Sequence, residues 1–165
     1  MTQPTSVPAD GSLKAVWVPV LADPTNPTAA ECNAGGALDA SCYLTDTGFT
    51  PNTDEQAIVD NRLCSRQTFE QPGRYTDSLE LGYVHNPASP GDNQAYTTFA
   101  YRTAGYIVTR WGLDFEDDIA AGDIVDVYPV KCGIQRKSPP EANSVLKVMQ
   151  KMFVTGTVRR DVVVS

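Results

Sequence analysis

No apolar run in this 165-residue sequence approaches the roughly 20 residues that a membrane-spanning helix needs, the longest covering residues 15–22 and 162–164. Histidine occurs once, at His85, which excludes a two-histidine metal site or any mechanism needing a second imidazole. Neither a G-x-G-x-x-G nor a G-x-x-x-x-G-K-[ST] phosphate loop is present. Cysteine is sparse: Cys32, Cys42, Cys64 and Cys132 lie 10, 22 and 68 positions apart, with no C-x-x-C pair, against zinc ribbons and thioredoxin-type redox chemistry. A chain of this size needs no bridges, so most thiols are expected to be reduced, with one disulfide pair left open. Residues 1–12 are polar and rich in Pro, Thr and Ser, without the basic and apolar regions of a secretory leader, and read as a mobile arm.

Charge is present but unevenly spread. Twenty acidic and 13 basic side chains give −7, with residues 1–130 carrying 18 acidic against 6 basic and residues 131–165 carrying 2 acidic against 7 basic. The two sections attract one another, either as faces of one molecule or as the edges of successive copies in a repeating assembly. Net acidity argues against tight nucleic-acid binding by the outer surface. The 41% hydrophobic fraction is enough for one core that buries about 70% of the unfolded chain's surface.

Residues 14–21 alternate as a strand, with Val16, Val18 and Val20 on one face and Ala15, Trp17 and Pro19 on the other. Pro27 opens a short helical turn over Ala29, Ala30 and Glu31, closed at Gly35-Gly36, and residues 38–44 form a second short strand. Residues 45–75 are mostly turn formers, with one strand-like piece at 56–60, which leaves a long excursion or a loose hairpin. Segments of this kind usually carry function or bind partners. Residues 75–84 alternate well, Tyr75, Leu79, Leu81 and Tyr83 opposite Thr76, Ser78, Glu80 and Gly82. Asp92 then caps one substantial helix carrying Tyr96, Phe99, Ala100 and Thr103, ended by Gly105. β-Rich runs at 106–111, 123–130, 145–154 and 157–164 bring the tally to about seven strands. The pattern predicts a mainly β chain, an antiparallel sandwich or barrel with one flanking α-helix and long loops: an arm at 1–13 and a single domain at 14–165.

No catalytic constellation, metal site or cofactor loop emerges, and an enzyme is not expected. Asp114, Glu116, Asp117 and Asp118 lack the Gly and Glu spacing of a calcium loop and read as a solvated turn, with Phe115 and Ile119 tucked inward. His85, before Asn86-Pro87, reads as a turn filler. Lys147, Lys151, Arg159 and Arg160 lie on strands without interleaved aromatics and read as strand faces, not nucleic-acid contacts. A carbohydrate-binding β-sandwich stacking sugars on Trp17, Tyr106 and Trp111 is the alternative from another class, and an enzyme using the acids of 114–118 is more remote.

Four segments carry a family resemblance: Cys42-Tyr43-Leu44-Thr45 through Gly48-Phe49, RLCSRQTFEQPGRY at 62–75, GYIVTRWG at 105–112, and AAGDIVDVYPVKCGIQRKSPPEANSVLKVMQKMFVTGTV at 120–158. Together they resemble the major tail, or tail tube, proteins of long, non-contractile-tailed phages that infect actinobacteria. The resemblance implies β-sandwich subunits with a flanking helix, hexameric rings stacked into a hollow virion tube, and passage of genomic DNA without specific binding. It also implies tape measure, tail terminator and tail tip proteins as partners, synthesis and assembly in the host cytoplasm, no cofactor and no membrane insertion. Some members add a C-terminal immunoglobulin-like domain, which is not expected here. A tail terminator or head-tail connector ring is the nearest alternative among virion proteins.

Within that reading, a DNA conduit repels phosphate, so acidic strand residues are the lumen candidates: Glu80, Asp126 and Asp77. Asp77 and Glu80 lie on opposite faces of one strand, and Glu80, on the more polar face, is preferred. Ring stacking would rest on the excursion of 45–74 and on the arm of 2–12, with Arg62, Arg66, Phe69 and Arg74 as anchors, since Arg and aromatics dominate interface energetics.

Overall fold

The computed structural model describes residues 2–165; Met1, first residue of the expected arm, lies outside them. The elements are β1 (Leu13–Val18), α1 (Ala29–Cys32), β2 (Leu38–Asp39), β3 (Leu44–Asp60), β4 (Phe69–Val84), α2 (Gln94–Thr98), β5 (Ala104–Trp111), β6 (Ile124–Lys137), β7 (Lys147–Val154) and β8 (Arg159–Val163). They form one sheet in the order β2-β1-β5-β6-β7-β4-β3, and every pairing is antiparallel. β8 also pairs with β6, beside its first residues, so β7 and β8 together run back along one long strand.

The sheet curls into a half-barrel. Phe49 of β3 packs edge-on against Trp111 of β5 and Tyr128 of β6, with centroids 6.0 and 5.9 Å apart, although β6, β7 and β4 separate β3 from β5 in the sheet order. Only strong coiling brings such positions together. The concave side holds the larger core, with Trp17, Leu79, Leu81, Tyr83, Ile107, Tyr128, Val130 and Met152 packed on Phe99 and Ala95. Gly105 makes room here, since a Cβ at that position would run into the Trp17 indole. The Tyr83, Gln135 and Gln150 side chains of this core are paired, as the low dielectric demands, whereas the buried Thr109 hydroxyl of β5 has no partner among the described residues. Tyr83 donates to Gln150 Oε1 at 2.8 Å, and Gln150 Nε2 donates to the carbonyls of Phe99 and Gly133 at 2.8 Å each. Gln135 Nε2 donates to the Tyr96 carbonyl at 2.6 Å, fastening α2 over the curl.

The convex side is covered over only half its width. Val16, Val18, Val108, Val125 and Val127 meet Leu21, Cys32, Ile119 and Val164 there, beneath α1, the 113–123 loop and the C-terminal residues. α1 is one turn long but well capped: the Thr28 side chain accepts from Glu31 N, and Glu31 Oε2 accepts from Thr28 N at 3.0 Å.

Several expectations shift in detail. β1 stops at Val18, leaving Val20 73% exposed instead of on the core face. The helix expected to run from Asp92 to Gly105 is five residues preceded by a 3-10 turn at Pro90–Asn93. Phe99 already leaves helical geometry as its C-cap, and Ala100 and Thr103 fall outside it. The proposed strand at 38–44 is two residues of β2, a turn, and the first residue of β3. Of the alternatives for 45–75, the hairpin is the observed one, and it is far more regular than loose.

Candidate functional site

The longest elements, β3 and β4, run well beyond the core. β3 and β4 stay in register from Phe49 opposite Leu81 to Asp60 opposite Phe69, with one irregularity between Glu55 and Ala57. β4 pairs with β7 only from Leu79 to Val84, so the hairpin beyond Ser78 leaves the sheet. Nine residues of β3, from Asn52 on, give it a reach of roughly 30 Å. Its apolar side chains stay in solvent: Ile58, Val59, Phe69 and Tyr75 are about half exposed, and Leu63 at the tip is 108% exposed. An isolated two-stranded ribbon is marginal in water, and an apolar row along one marks a contact surface.

At its root the hairpin is clamped by β8. Arg160 Nη2 lies 2.6 Å from Asp77 Oδ1, Thr53 Oγ1 donates to the same oxygen at 2.6 Å, and Asp126 Oδ1 accepts from Asp161 N at 2.9 Å. Burial first, and Asp126 next, push the neighbouring Tyr128 phenol above its ordinary value.

The three carboxylates singled out for the lumen therefore do not act as one wall. Asp77 is tied into the clamp, and Asp126 sits beside it as an acceptor for β8. Glu80 lies on the convex face, where its carboxylate is 3.3 Å from Arg136 Nη2 and its register partner is Lys151. The interface candidates Arg62, Arg66, Phe69 and Arg74 all fall on the projecting hairpin and are exposed or nearly so. Arg62 is held locally by Asp60, at 2.7 Å, whereas Arg66 and Arg74 enter no ion pair among the described residues.

Sequence reading missed two features. Leu63 stands bare at the tip, a position set by where the turn falls. The uncovered half of the convex face, on β4, β7 and the end of β6, gathers Lys131, Arg136, Lys147 and Lys151 around Glu80. Period-2 parity could have aligned Lys147 with Lys151, but the bulge between Cys132 and Gln135 hides that Arg136 joins them.

Other candidates resolve into structure. The carbonyls of Asp114, Asp117 and Asp118 accept from Arg110, whose guanidinium is buried and 2.9 Å from Asp123 Oδ2. The acidic loop is thus folded around an arginine by its backbone, with its carboxylates turned out. Burial pushes the Asp123 carboxyl up, but the Ala120 amide and Arg110 outweigh it and hold the group below the usual carboxylate range. Trp17 is 2% exposed and Tyr106 lies on the opposite face of β5 from Trp111, which is itself 52% exposed with one contact to Phe49, so the three do not form one sugar-stacking platform. His85 stacks on Tyr96 at 4.6 Å, next to its turn. All four cysteines are free; burial raises the Cys132 thiol to about 12, and burial followed by Glu31 raises Cys32 to about 11. Among the described residues no helix is long and apolar enough to cross a membrane, and no cluster of metal ligands forms.

This architecture recurs in solved structures. A chain of the anti-feeding prophage baseplate, solved with six-fold symmetrisation, is similar at TM-score 0.58 and 11% identity, covering 96% of each chain. The SPP1 tail tube protein is similar at TM-score 0.60 and 12% identity, covering 94% of this chain and 80% of its own. No curated protein matches the sequence. A family model described as phage tail tube protein matches residues 1–165, and the chain belongs to that family.

Proposed function

We propose that copies of this chain close into hexameric rings that stack into the hollow tail tube of a long, non-contractile-tailed phage, through which the genome leaves the virion. The observation that carries the reading is the hairpin of β3 and β4, which leaves its own sheet with Leu63, Phe69, Arg66 and Arg74 bare. Such a projection becomes stable when a neighbouring subunit supplies the missing surface. Family membership supports the tube, and the six-fold baseplate and the tail tube named for the two similar structures agree with it. An actinobacterial host rests on the resemblance of the four segments quoted above.

In this reading the subunit is a structural protein and not an enzyme, made in the host cytoplasm, with tape measure, terminator and tip proteins as its partners. The arm before β1 orders against an adjacent subunit on assembly, and DNA passes without specific binding. Of the three lumen candidates, Asp126 is the one in no ion pair among the described residues, and it is the carboxylate this reading assigns to the wall.

Negative-stain electron microscopy of the concentrated protein tests the reading. Hollow tubes or stacked six-fold rings are expected from the wild type. The double variant Arg66→Ala/Phe69→Ala should stay folded and yield single rings or free subunits. Undiminished tubes from that variant would remove the hairpin from the mechanism, and a wild type that stays monomeric at every concentration, even with tail tip complexes added as initiator, would sink the tube itself.

A further inference from the structure

The uncovered half of the convex face gathers basic side chains although the chain as a whole is acidic. β7 presents Lys147 and Lys151, the second half of β6 presents Lys131 and Arg136, and the register makes them contiguous. Lys131 sits opposite Phe153, Lys151 reaches over the Phe153 ring at 5.1 Å, and Arg136 sits opposite Met149, two residues from Lys147 and Lys151. Arg136 is answered by Glu80 at 3.3 Å and Lys147 by Glu141 at 3.1 Å. Lys131 and Lys151 are exposed and enter no ion pair among the described residues. Among the described residues none covers Lys131 and Lys151, in contrast to the other half of the same face.

The complementary charge sits at the opposite end of β6. The 113–123 loop displays Asp114, Glu116, Asp117 and Asp118, all exposed and none in an ion pair among the described residues. Arg110 holds the carbonyls of three of them at 2.6 to 2.9 Å and Asp114 Oδ1 accepts from Glu116 N at 3.0 Å, so the loop is a tied display of exposed carboxylates, not a floppy acidic turn. The loop enters β6 at Ile124, and the seven residues from there to Lys131 span roughly 24 Å of strand. The two charges therefore lie apart on one copy and can meet only between copies.

We infer that the cationic convex face of one subunit receives the acidic 113–123 loop of a second copy. Resting on the tube reading above, this names the contact's chemistry. The geometry is head-to-tail, because different surfaces meet on the two partners, and a heterologous contact of this kind generates rings or extended stacks. Charge complementarity selects the partner: each subunit brings a net −7 and a dense acidic display to a face that carries two unpaired lysines. It also follows that the phosphate-repelling wall of the conduit is built elsewhere than around Glu80.

Charge reversal and its rescue test the contact, with assembly read by light scattering and sedimentation and fold by circular dichroism. Lys131→Glu/Lys151→Glu and Asp117→Lys/Asp118→Lys should each keep the wild-type spectrum and melting temperature while raising the concentration for half-assembly by about tenfold or more. Both reversals in one chain should restore assembly, and rising salt should weaken the wild type more than the singly reversed variants. Assembly by either reversed variant at the wild-type concentration overturns the contact, as does failure of the combined variant to recover. So does a 20-base-pair DNA duplex whose binding is lost in Lys131→Glu/Lys151→Glu while assembly is untouched. The tube reading fails separately: a wild type with salt-sensitive, rescuable self-association that never forms rings or tubes keeps this contact and loses the tube.

Discussion

The body of the half-barrel and the hairpin that leaves it share β3 and β4, yet they are stabilised in different ways. Near Leu79 and Leu81, β4 is flanked by β3 and β7 and packs into the concave core. Beyond the clamp at Asp77 the same strand has one partner and side chains mostly in water. Backbone pairing is continuous across the boundary, so hydrogen bonding does not distinguish the regions; burial does. A segment whose apolar groups find no partner within its own chain is organised for a partner outside it.

Substitutions should divide along the same line. Trp17→Ala should cost the most, about 3–5 kcal/mol, because it empties a site that Phe99 and Gly105 are shaped to enclose, and chemical denaturation reads it directly. Arg110→Met comes next, at about 3 kcal/mol or more, since three loop carbonyls and Asp123 lose a buried donor. It should also change the pH profile. With its folded value depressed, Asp123 contributes stability that is full above the ordinary carboxylate value and is lost as pH falls through the folded value. Removing Arg110 should flatten that acid limb in denaturation curves taken between neutral pH and pH 3. On the hairpin, Arg66→Ala/Phe69→Ala should move the folding free energy by only about 0.5 kcal/mol or less while reducing assembly, the reverse of Trp17→Ala. A stability loss comparable to the core substitution would show that the hairpin is packed after all.

The smallest effect is kinetic. In the native subunit a thiol reagent at pH 8 should label Cys42 and Cys64 quickly and leave Cys32 and Cys132, both buried and with raised pKa, until denaturant is added. Tube assembly should then slow labelling of Cys64, which lies at the hairpin tip next to Leu63. Equal rates in subunit and tube would place the tip in solvent and weaken its role in stacking.

The β class and most strand positions were legible because period-2 alternation survives wherever one side of a strand is buried. Residues 75–84 show this, lying within β4, whereas 106–111 is buried on both faces of β5 and was legible from its β-rich composition instead. The distal hairpin was hard to read for the same reason: from Asn52 to Tyr75 nearly every side chain is exposed, so there is no alternation to detect, and turn-forming residues suggested a loop. The helix after Asp92 was overread because Tyr96 and Phe99 pack on the core as a helical face would, although Phe99 does so from the cap.

The interface candidates fall together on one exposed hairpin because they share one stretch of sequence. That Asp77 and Glu80 face opposite ways was legible from strand alternation, but their partners were not, because those come from far along the chain: Arg160 takes Asp77, while Arg136 and Lys151 flank Glu80. Composition, strand periodicity and the acidic-to-basic polarity along the chain were properties of the sequence alone, since local sterics and side-chain chemistry set them. How the sheet coils, which cations share its open face, and which carboxylates stay free were decided only by tertiary structure, because register, bulges and burial couple residues that the chain itself keeps far apart.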